Sequence, residues 1–235
     1  ASRGIFAATL PSVISNQRQM SSYQSSRRSF VAHVAALVGA TAFLPGRSRA
    51  EPVVAPGDEL EPWLTALHGK HRQLFHSHEN FANGIFYARA FKTEYPKKYG
   101  VMPVEVDSVL AAHGKTGVVT YTDAAWEKYG LGKMFDVKES PKSDKIATRN
   151  IFLTAMDEEN PGVEDALNAG VVVLSCHNAL LEMARALAKE KKFGSVDEIE
   201  RDLIASLVPR VVLVPAMVIA IQRAQKQGCA YQYTG

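Results

Sequence analysis

The sequence predicts an α/β fold in which a mostly parallel, five-stranded sheet is covered by helices on both faces. Short apolar segments alternate five times with helical segments along residues 68–235, and this alternation is typical of βαβ units. Two strand candidates, 171–174 (VVVL) and 211–214 (VVLV), are wholly apolar, as expected of strands that are buried on both faces. A hydrophobic fraction of 46% supplies enough side chains for a core.

The first half of this domain is predicted to contain two strand–helix pairs. Residues 70–76 (KHRQLFH) alternate loosely and form the first strand candidate, and Ser77 is positioned to cap a helix over residues 80–95. Apolar residues recur at helical spacing in that segment. Residues 104–112 (VEVDSVLAA) alternate and then become apolar, which predicts a second strand entering a covered sheet. A short helix over 122–129 follows.

The second half contains shorter elements with clear turn signals. Ser195 and Glu198 form a capping box that opens a helix, and Gly228 ends the last helix. The polar, irregular segment 135–161 predicts an insertion or lid, longer than an ordinary connection. The other elements are expected at 163–169, 178–189, 195–207 and 215–227, all helices, and at 171–174, 211–214 and 230–233, all strands.

Residues 1–50 carry the pattern of a twin-arginine signal segment. The stretch 26–31 (SRRSFV) has the polar residue, two arginines and Phe of that signature, and an apolar run of fifteen residues extends over 30–44. This run is shorter than the roughly 20 residues that span a bilayer. An A-x-A-like site at 48–50 (SRA) predicts cleavage before Glu51. It therefore predicts a periplasmic or otherwise exported protein with no membrane span after signal removal.

Two alternatives for the leader stay open. A basic, Ser-rich, acid-poor segment also fits an organellar transit peptide, and a disordered tail would need no targeting role at all. After the leader, residues 51–67 form a Pro-rich, acidic linker with a short helix. Residues 68–235 then form a single α/β domain that contains the 135–161 insertion.

The charge distribution argues against nucleic acid as a partner. The chain has 27 basic and 24 acidic residues, but its first 50 residues hold six of the basic ones and none of the acidic ones. The remaining 21 basic residues are outnumbered by acidic residues, so no basic patch is expected. The sequence also lacks GxGxxG after the first strand, GxxxxGK[ST] and CxxC, which argues against dinucleotide, P-loop, zinc-ribbon and thioredoxin chemistry.

Polar side chains follow each of the first three predicted strands. The carboxyl ends of parallel strands meet at one edge of a sheet, and ligands of open α/β sheets bind outside that edge. We therefore expect one site that combines His76, His78, His113, Lys115, Cys176, His177 and Asn178.

Cys176 is the candidate nucleophile of this site. It lies between a strand and a helix, and the dipole and free N–H groups at a helix N-terminus stabilise a thiolate. His113 and His177 are its candidate proton partners. In the alternative interpretation, Cys176 is a buried cysteine that packs as a small apolar residue.

A metal site is a second interpretation of the same residues. His76 and His78 lie two positions apart and would share a face of an extended segment, and with His113 and Cys176 they would offer imidazole and thiolate ligands. Such ligands suit zinc or copper. The alternative is that these histidines make structural hydrogen bonds only. Nothing in the sequence requires a cofactor.

The second cysteine, Cys229, opens the last predicted strand and should lie at the amino end of the sheet. Strand lengths of four or five residues would separate it from Cys176 by roughly 15 Å. A disulfide needs Cα atoms within about 7 Å of each other, so we expect Cys229 to be a packing residue.

The segment 211–233 (VVLVPAMVIAIQRAQKQGCAYQY) resembles the closing segment of the DsrE/DsrF-like sulfur-relay family, in which an apolar strand, a Pro, a helix, a Gly and an aromatic strand recur. Cys176 resembles that family's strand-end cysteine, and residues 111–114 (AAHG) its second strand end. The resemblance covers residues 68–235. It implies a Rossmann-like, three-layer α/β/α sandwich, a homo-oligomer of three or six subunits, and a persulfide on Cys176 that is exchanged with a small sulfur compound or a partner protein.

Three functions remain open at this point. The chain could be an exported thiol protein that carries or transfers sulfur through Cys176. It could be a non-enzymatic periplasmic protein that binds a metal or cofactor through His76, His78, His113 and Cys176. It could also be an oligomeric interaction module without chemistry.

Overall fold

The computed structural model describes residues 61–157 and 160–235. The predicted signal segment and the linker up to residue 60 lie outside the described residues. The domain is built on one sheet of five parallel strands in the order β4-β3-β2-β1-β5, which confirms the predicted α/β class. The strands are β1 (His71–Ser77), β2 (Val106–Ala112), β3 (Val172–Cys176), β4 (Val212–Val214) and β5 (Ala230–Tyr233).

Helices cover both faces of the sheet, so the fold is a three-layer α/β/α sandwich. One face packs against α1 (Pro62–Thr65) and α8 (Met217–Lys226). The other face packs against the remaining helices, namely α2 (Phe81–Tyr99), α3 (Asp123–Tyr129), α4 (Leu131–Met134), α5 (Val163–Asn168), α6 (His177–Ala188) and α7 (Val196–Ala205). Three-residue or longer 3₁₀ turns occur at Pro103–Glu105, Gly114–Thr120 and Lys191–Phe193.

Each face of the sheet has its own hydrophobic cluster. The cluster under α2 and α6 includes Trp126, whose indole is fully buried and donates a hydrogen bond to the carbonyl of Val118. The cluster under α1 and α8 includes Leu174 and both cysteines of the chain. Both faces of β3 are therefore covered, as its uninterrupted apolar sequence predicted.

Several boundaries differ from the sequence-based expectations for clear local reasons. The cap of α2 is Asn80, whose side chain accepts hydrogen bonds from the amides of Ala82 and Asn83, whereas Ser77 is still part of β1. Helix α2 also continues past Pro96 until Gly100, where the backbone turns left-handed at φ 67°.

Two further elements begin or end later than expected. The third strand was expected to end at residue 174, but pairing with β4 extends it to Cys176. Helix α8 begins at Met217 instead of Pro215, because Ala216 is still extended at φ −147° and ψ 125°. The capping box at Ser195 and Glu198 is confirmed, with both reciprocal hydrogen bonds present.

The polar segment 135–161 contains no helix or strand in its described part, where the backbone forms one isolated antiparallel bridge, between Lys138 and Ile146. None of the helices in the described residues is long and apolar enough to cross a membrane.

Candidate functional site

The ends of the first three strands meet at one edge of the sheet. Strands β1 and β2 pair in parallel up to Ser77 and Ala112, and β2 pairs with β3 up to Ala112 and Ser175. The amide of His113 donates to the carbonyl of Ser77 at 2.9 Å, which extends this pairing by one residue. The residues that follow these strands are therefore neighbours, although they are far apart in sequence.

The register also assigns the key side chains to one face. His76, Ala111 and Leu174 lie side by side on neighbouring strands, and directly opposed residues share a face. Leu174 and Ala111 belong to the cluster under α1 and α8, so His76 lies on that face. His113 and Cys176 each lie two residues further along, and by the two-residue period of a strand they share it.

Three imidazoles pack together at this edge, and we call His76, His78 and His113 the histidine cluster. Nε2 of His76 lies 3.2 Å from Nδ1 of His113, and their rings are stacked with centroids 5.4 Å apart. The His78 ring meets the His113 ring edge-on at 5.2 Å. The two neighbouring strands therefore bring together three histidines that the sequence predicted to converge.

Gly114 makes this packing possible. Its backbone is left-handed at φ 58°, and a Cβ placed there would lie 2.4 Å from Nε2 of His78. Any other residue would be strained by the backbone conformation and would collide with the imidazole. The glycine that follows the second strand therefore allows the His78 ring to approach the backbone.

Strand β5 adds two tyrosines to the cluster. Tyr231 and Tyr233 pair with Leu74 and His76 of β1, and the hydroxyl of Tyr231 lies 2.9 Å from Nδ1 of His76. The Tyr233 ring meets the His76 ring edge-on, with centroids 5.5 Å apart. Both nitrogens of His76 are thus within hydrogen-bond distance of a partner.

The surroundings of the cluster favour neutral imidazoles. Burial, with further contributions from His113 and His78, lowers the pKa of His76 to about 4. Burial and the neighbouring His78 also lower the pKa of His113, and the Glu182 carboxylate on α6 only partly opposes this shift. At neutral pH each of these two rings therefore carries one proton and can both donate and accept a hydrogen bond.

Cys176 is the N-cap residue of α6, with extended dihedral angles of φ −95° and ψ 119°. It is buried, with 4% of its surface exposed, and both cysteines of the described chain are free thiols. Residues at this position face the unpaired N–H groups of the first helical turn. The thiol therefore occupies the strand–helix junction that the sequence predicted.

Cys176 also lines a small pocket, which opens on the α2 and α6 side of the sheet edge, since Val118, Tyr121 and Leu180 in its walls belong to that hydrophobic cluster. The volume of this pocket, counted as the space that the centre of a water molecule could occupy, is about 20 Å³. On the same measure, roughly 10–15 Å³ is needed to hold one water molecule. The pocket therefore has room for one or two atoms the size of oxygen or sulfur. Its walls include Gly114, Val118 and Tyr121 from the segment after β2, and Ala179, Leu180 and Met183 from α6.

Of the other predicted site residues, two lie away from the histidine cluster and one lies at its border. His177 does not join the histidine cluster, because its Nε2 contacts a carboxylate oxygen of Glu200 on α7 at 2.7 Å. Asn178 is exposed on the first turn of α6. Lys115 is at the border of the cluster, where its ammonium group lies 3.0 Å from Glu79.

Several residues near the site were missed by the sequence analysis. Glu79 joins Lys115 to the cluster, since its other oxygen lies 3.0 Å from Nδ1 of His78. The buried Tyr121 hydroxyl is near Ser175 and Cys176, and burial raises its pKa, so that it stays protonated. The alternating aromatic residues of 230–233 (AYQY) did indicate the strand that contains Tyr231. They did not indicate that this strand would pair with β1.

The described residues do not fit the predicted metal site. Within residues 61–157 and 160–235, no group of three or more His, Cys, Asp or Glu side chains has the geometry to hold a metal ion. The nitrogens of His76 face Tyr231 and His113, and Nδ1 of His78 faces Glu79. These atoms are engaged in hydrogen bonds, so the set does not suit zinc or copper as it stands.

Comparison of the chain with protein-family models, with curated proteins and with solved structures finds no match.

Proposed function

We propose that this chain is a thiol protein in which Cys176 carries a sulfur atom as a persulfide, with His113 as its proton partner. The observation that carries the proposal is the position of Cys176, at the N-terminus of α6 and in the wall of a pocket with room for one or two atoms. A nucleophile needs a means of ionisation, a proton acceptor and space for the incoming atom.

Cys176 lies at the N-terminus of a long helix. Helix α6 has twelve residues, and the N-terminus of a helix carries a partial positive charge that stabilises an adjacent anion. Because the thiolate is the reactive form of cysteine, such a position raises reactivity. Cys229 lacks this advantage, since burial raises the pKa of its thiol to about 11.

A proton acceptor lies on the neighbouring strand. His113 and Cys176 each follow the Ala112–Ser175 pair by one residue, so the same register continued by one residue would set them side by side. His113 is still extended at φ −131° and ψ 157°. Neighbouring strands are about 4.8 Å apart. We therefore assign the role of taking the thiol proton to the imidazole of His113, whose lowered pKa keeps it neutral at neutral pH.

The size of the pocket favours a single sulfur atom over an organic substrate. In the proposed step, the Cys176 thiolate attacks an outer sulfur of an inorganic polysulfide. One S–S bond of the polysulfide breaks, one S–S bond to Cys176 forms, and the shortened polysulfide leaves as an anion. No further oxidant or reductant is needed, and the reverse reaction with a second thiolate delivers the sulfur to an acceptor.

Peptide mass spectrometry after treatment with inorganic polysulfide tests this proposal. We expect the peptide that contains Cys176 to gain 32 Da in a form that reductant removes, because one sulfur atom adds about that mass. The Cys176→Ser variant should show no such gain, and the matched Cys229→Ser variant should behave as the native chain. Equal loading of both cysteines, or loading of neither, would refute the proposal.

We also propose that the protein acts outside the cytoplasm, on a small sulfur compound or a partner protein. The support is the twin-arginine pattern at residues 26–31 and the apolar run after it. A reporter fused behind residues 1–60 should be exported by the twin-arginine route, and the Arg27→Lys, Arg28→Lys double variant should retain it in the cytoplasm. Export that is unaffected by the double variant would contradict the proposal.

The family resemblance further supports a homo-oligomer of three or six subunits. Multi-angle light scattering of the domain should give a mass of three or six chains. A monomer at micromolar concentration would contradict this part of the proposal. A metal-binding function is not proposed, because the histidine nitrogens with described contacts are engaged with one another, with Tyr231 and with Glu79.

A further inference from the structure

We infer that Tyr231, His76 and His113 form a proton relay that connects the Cys176 edge of the sheet with solvent. This inference rests on the proposed function of Cys176 and adds two residues to it, Tyr231 and His76. They act on the thiol through His113, so they are positioning residues and not nucleophiles.

The first support is a chain of hydrogen-bonding atoms that runs from Tyr231 through His76 to His113. The Tyr231 hydroxyl lies 2.9 Å from Nδ1 of His76, and Nε2 of His76 lies 3.2 Å from Nδ1 of His113. Both distances are within the range of hydrogen bonds. Because an imidazole donates with one nitrogen and accepts with the other, a proton entering at one end can release another at the far end.

The second support is a gradient of exposure along this chain. The chain of hydrogen bonds meets solvent at its Tyr231 end, because 43% of the surface of Tyr231 is exposed. His76 and His113 are only partly exposed, and Cys176 is buried. A proton that leaves a buried thiol needs a path to water, and this chain ends where water is accessible.

The transfer can proceed without a charged imidazole. At the start, Nδ1–H of His113 donates to Nε2 of His76, and Nδ1–H of His76 donates to the Tyr231 oxygen. The thiol proton then moves to Nε2 of His113, the Nδ1 proton of His113 moves to His76, and the Nδ1 proton of His76 moves to Tyr231. The original phenolic proton of Tyr231 passes to water. The net result is that the S–H bond of Cys176 is broken, the thiolate carries the negative charge, and Tyr231, His76 and His113 are all neutral.

The electrostatic surroundings agree with this neutral pathway. Burial and neighbouring imidazoles keep the pKa values of His76 and His113 low, so a relay that passed through imidazolium would be costly. Among the described residues, the other ionisable groups around the relay belong to four elements, the first being β5 with Tyr233, whose ring contacts His76. The others are His78 and Glu79 from the segment after β1, Lys115 from the segment after β2, and Glu182 from α6.

After the transfer, the donors all point toward the sulfur. Tyr231 donates to His76, His76 donates to His113, and Nε2–H of His113 is left to donate to the thiolate. Each such hydrogen bond contributes about 0.5–1.5 kcal/mol, and more when the acceptor is charged. The relay therefore both removes the proton and stabilises the anion that remains.

Nitrogen-15 NMR of the histidine side chains tests the relay. When the Cys176 thiol ionises with rising pH, His76 and His113 should change together from the Nδ1–H to the Nε2–H tautomer. In Tyr231→Phe the coupled change should be lost. Tyr233→Phe is the matched control, because Tyr233 contacts the His76 ring edge-on and is outside the hydrogen-bonded chain.

The rate of Cys176 alkylation by iodoacetamide gives a second readout. At pH 7 we expect a decrease of about three- to tenfold in Tyr231→Phe and in His76→Asn, with the midpoint of the pH–rate profile moved to higher pH. Tyr233→Phe should match the native chain. The inference is overturned if the tautomers stay fixed as the thiol ionises, or if Tyr231→Phe behaves as Tyr233→Phe.

These results also separate the relay from the proposed function. If Cys176 takes up no sulfur from polysulfide but the coupled tautomer change is present, the sulfur-carrier function fails and the relay stands. If sulfur is taken up and Tyr231→Phe has no effect on either readout, the relay fails and the function stands.

Discussion

Nε2 of His76 lies 3.2 Å from Nδ1 of His113, although 37 positions separate the two residues in the chain. The contact exists because β1 and β2 are parallel neighbours in register, with His76 opposite Ala111. A one-residue change of register would send His76 to the opposite face of the sheet. The chemistry proposed for this edge therefore depends on strand pairing, and the following predictions test it.

Gly114 should be required for the position of His78. In Gly114→Ala, the new Cβ would lie 2.4 Å from Nε2 of His78 in a left-handed backbone at φ 58°. We expect the free energy of unfolding to fall by about 1–3 kcal/mol, measured by urea denaturation. Gly117→Ala is the control, since a Cβ there meets nothing closer than 3.9 Å. Equal losses in both variants would argue against the collision.

The stability of the domain should fall between pH 6.5 and pH 4. The pKa of His76 is lowered from 6.5 to about 4 in the folded chain, so in this window the unfolded chain binds a proton that the folded chain does not. The contribution of neutral His76 is fully present above about pH 6.5 and is lost as the pH falls toward 4. His113 acts in the same direction, because its pKa is also lowered.

Urea unfolding at pH 7.0 and pH 4.5 measures this effect. The decrease in the free energy of unfolding between the two pH values should be smaller in His76→Gln than in the native chain. The substituted glutamine keeps a polar side chain but does not titrate in this range. An identical decrease in both proteins would show that His76 is not held neutral by its surroundings.

Cys176 should discriminate among thiol reagents by size. With 4% of Cys176 exposed and about 20 Å³ of space beside it, a one-carbon thiosulfonate should react at least about tenfold faster, relative to free cysteine, than an aromatic disulfide. Met183→Ala would enlarge the pocket and should narrow this difference. Equal relative rates for the two reagents in the native domain would mean that the pocket does not restrict access.

The His177–Glu200 pair should affect stability and not sulfur chemistry. Its atoms lie 2.7 Å apart on α6 and α7 and are partly exposed, so His177→Gln should cost at most about 1 kcal/mol of unfolding free energy. Polysulfide loading of Cys176 should be unchanged in this variant and should fall clearly in His113→Gln. A comparable loss of loading in both variants would return His177 to the site.

The sheet could be predicted from the sequence because its strands have strong local signals. The apolar segments at 171–174 and 211–214 and the alternation with helices were enough to indicate a parallel sheet with two covered faces. Boundaries were less certain, because they depend on pairing partners. Strand β3 reaches Cys176 only through its contact with β4, and the cap of α2 moved to Asn80 because β1 extends through Ser77.

The site could be predicted only in part. The rule that carboxyl ends of parallel strands meet identified His76, His78 and His113 as neighbours, and the structure brings them together. The rule does not give side-chain directions, so the turn of His177 toward Glu200 was not foreseen. Nor does it give the strand order, and the contact of Tyr231 with His76 exists because β5 returns to the side of β1.

A crystal structure of the polysulfide-treated protein would test the central claim most directly. The account predicts density for one additional sulfur atom bonded to Sγ of Cys176, within the pocket between Gly114 and Ala179 and with His113 turned toward it. An unmodified Cys176 with an empty pocket, in protein whose mass shows that sulfur has been taken up elsewhere, would contradict the account.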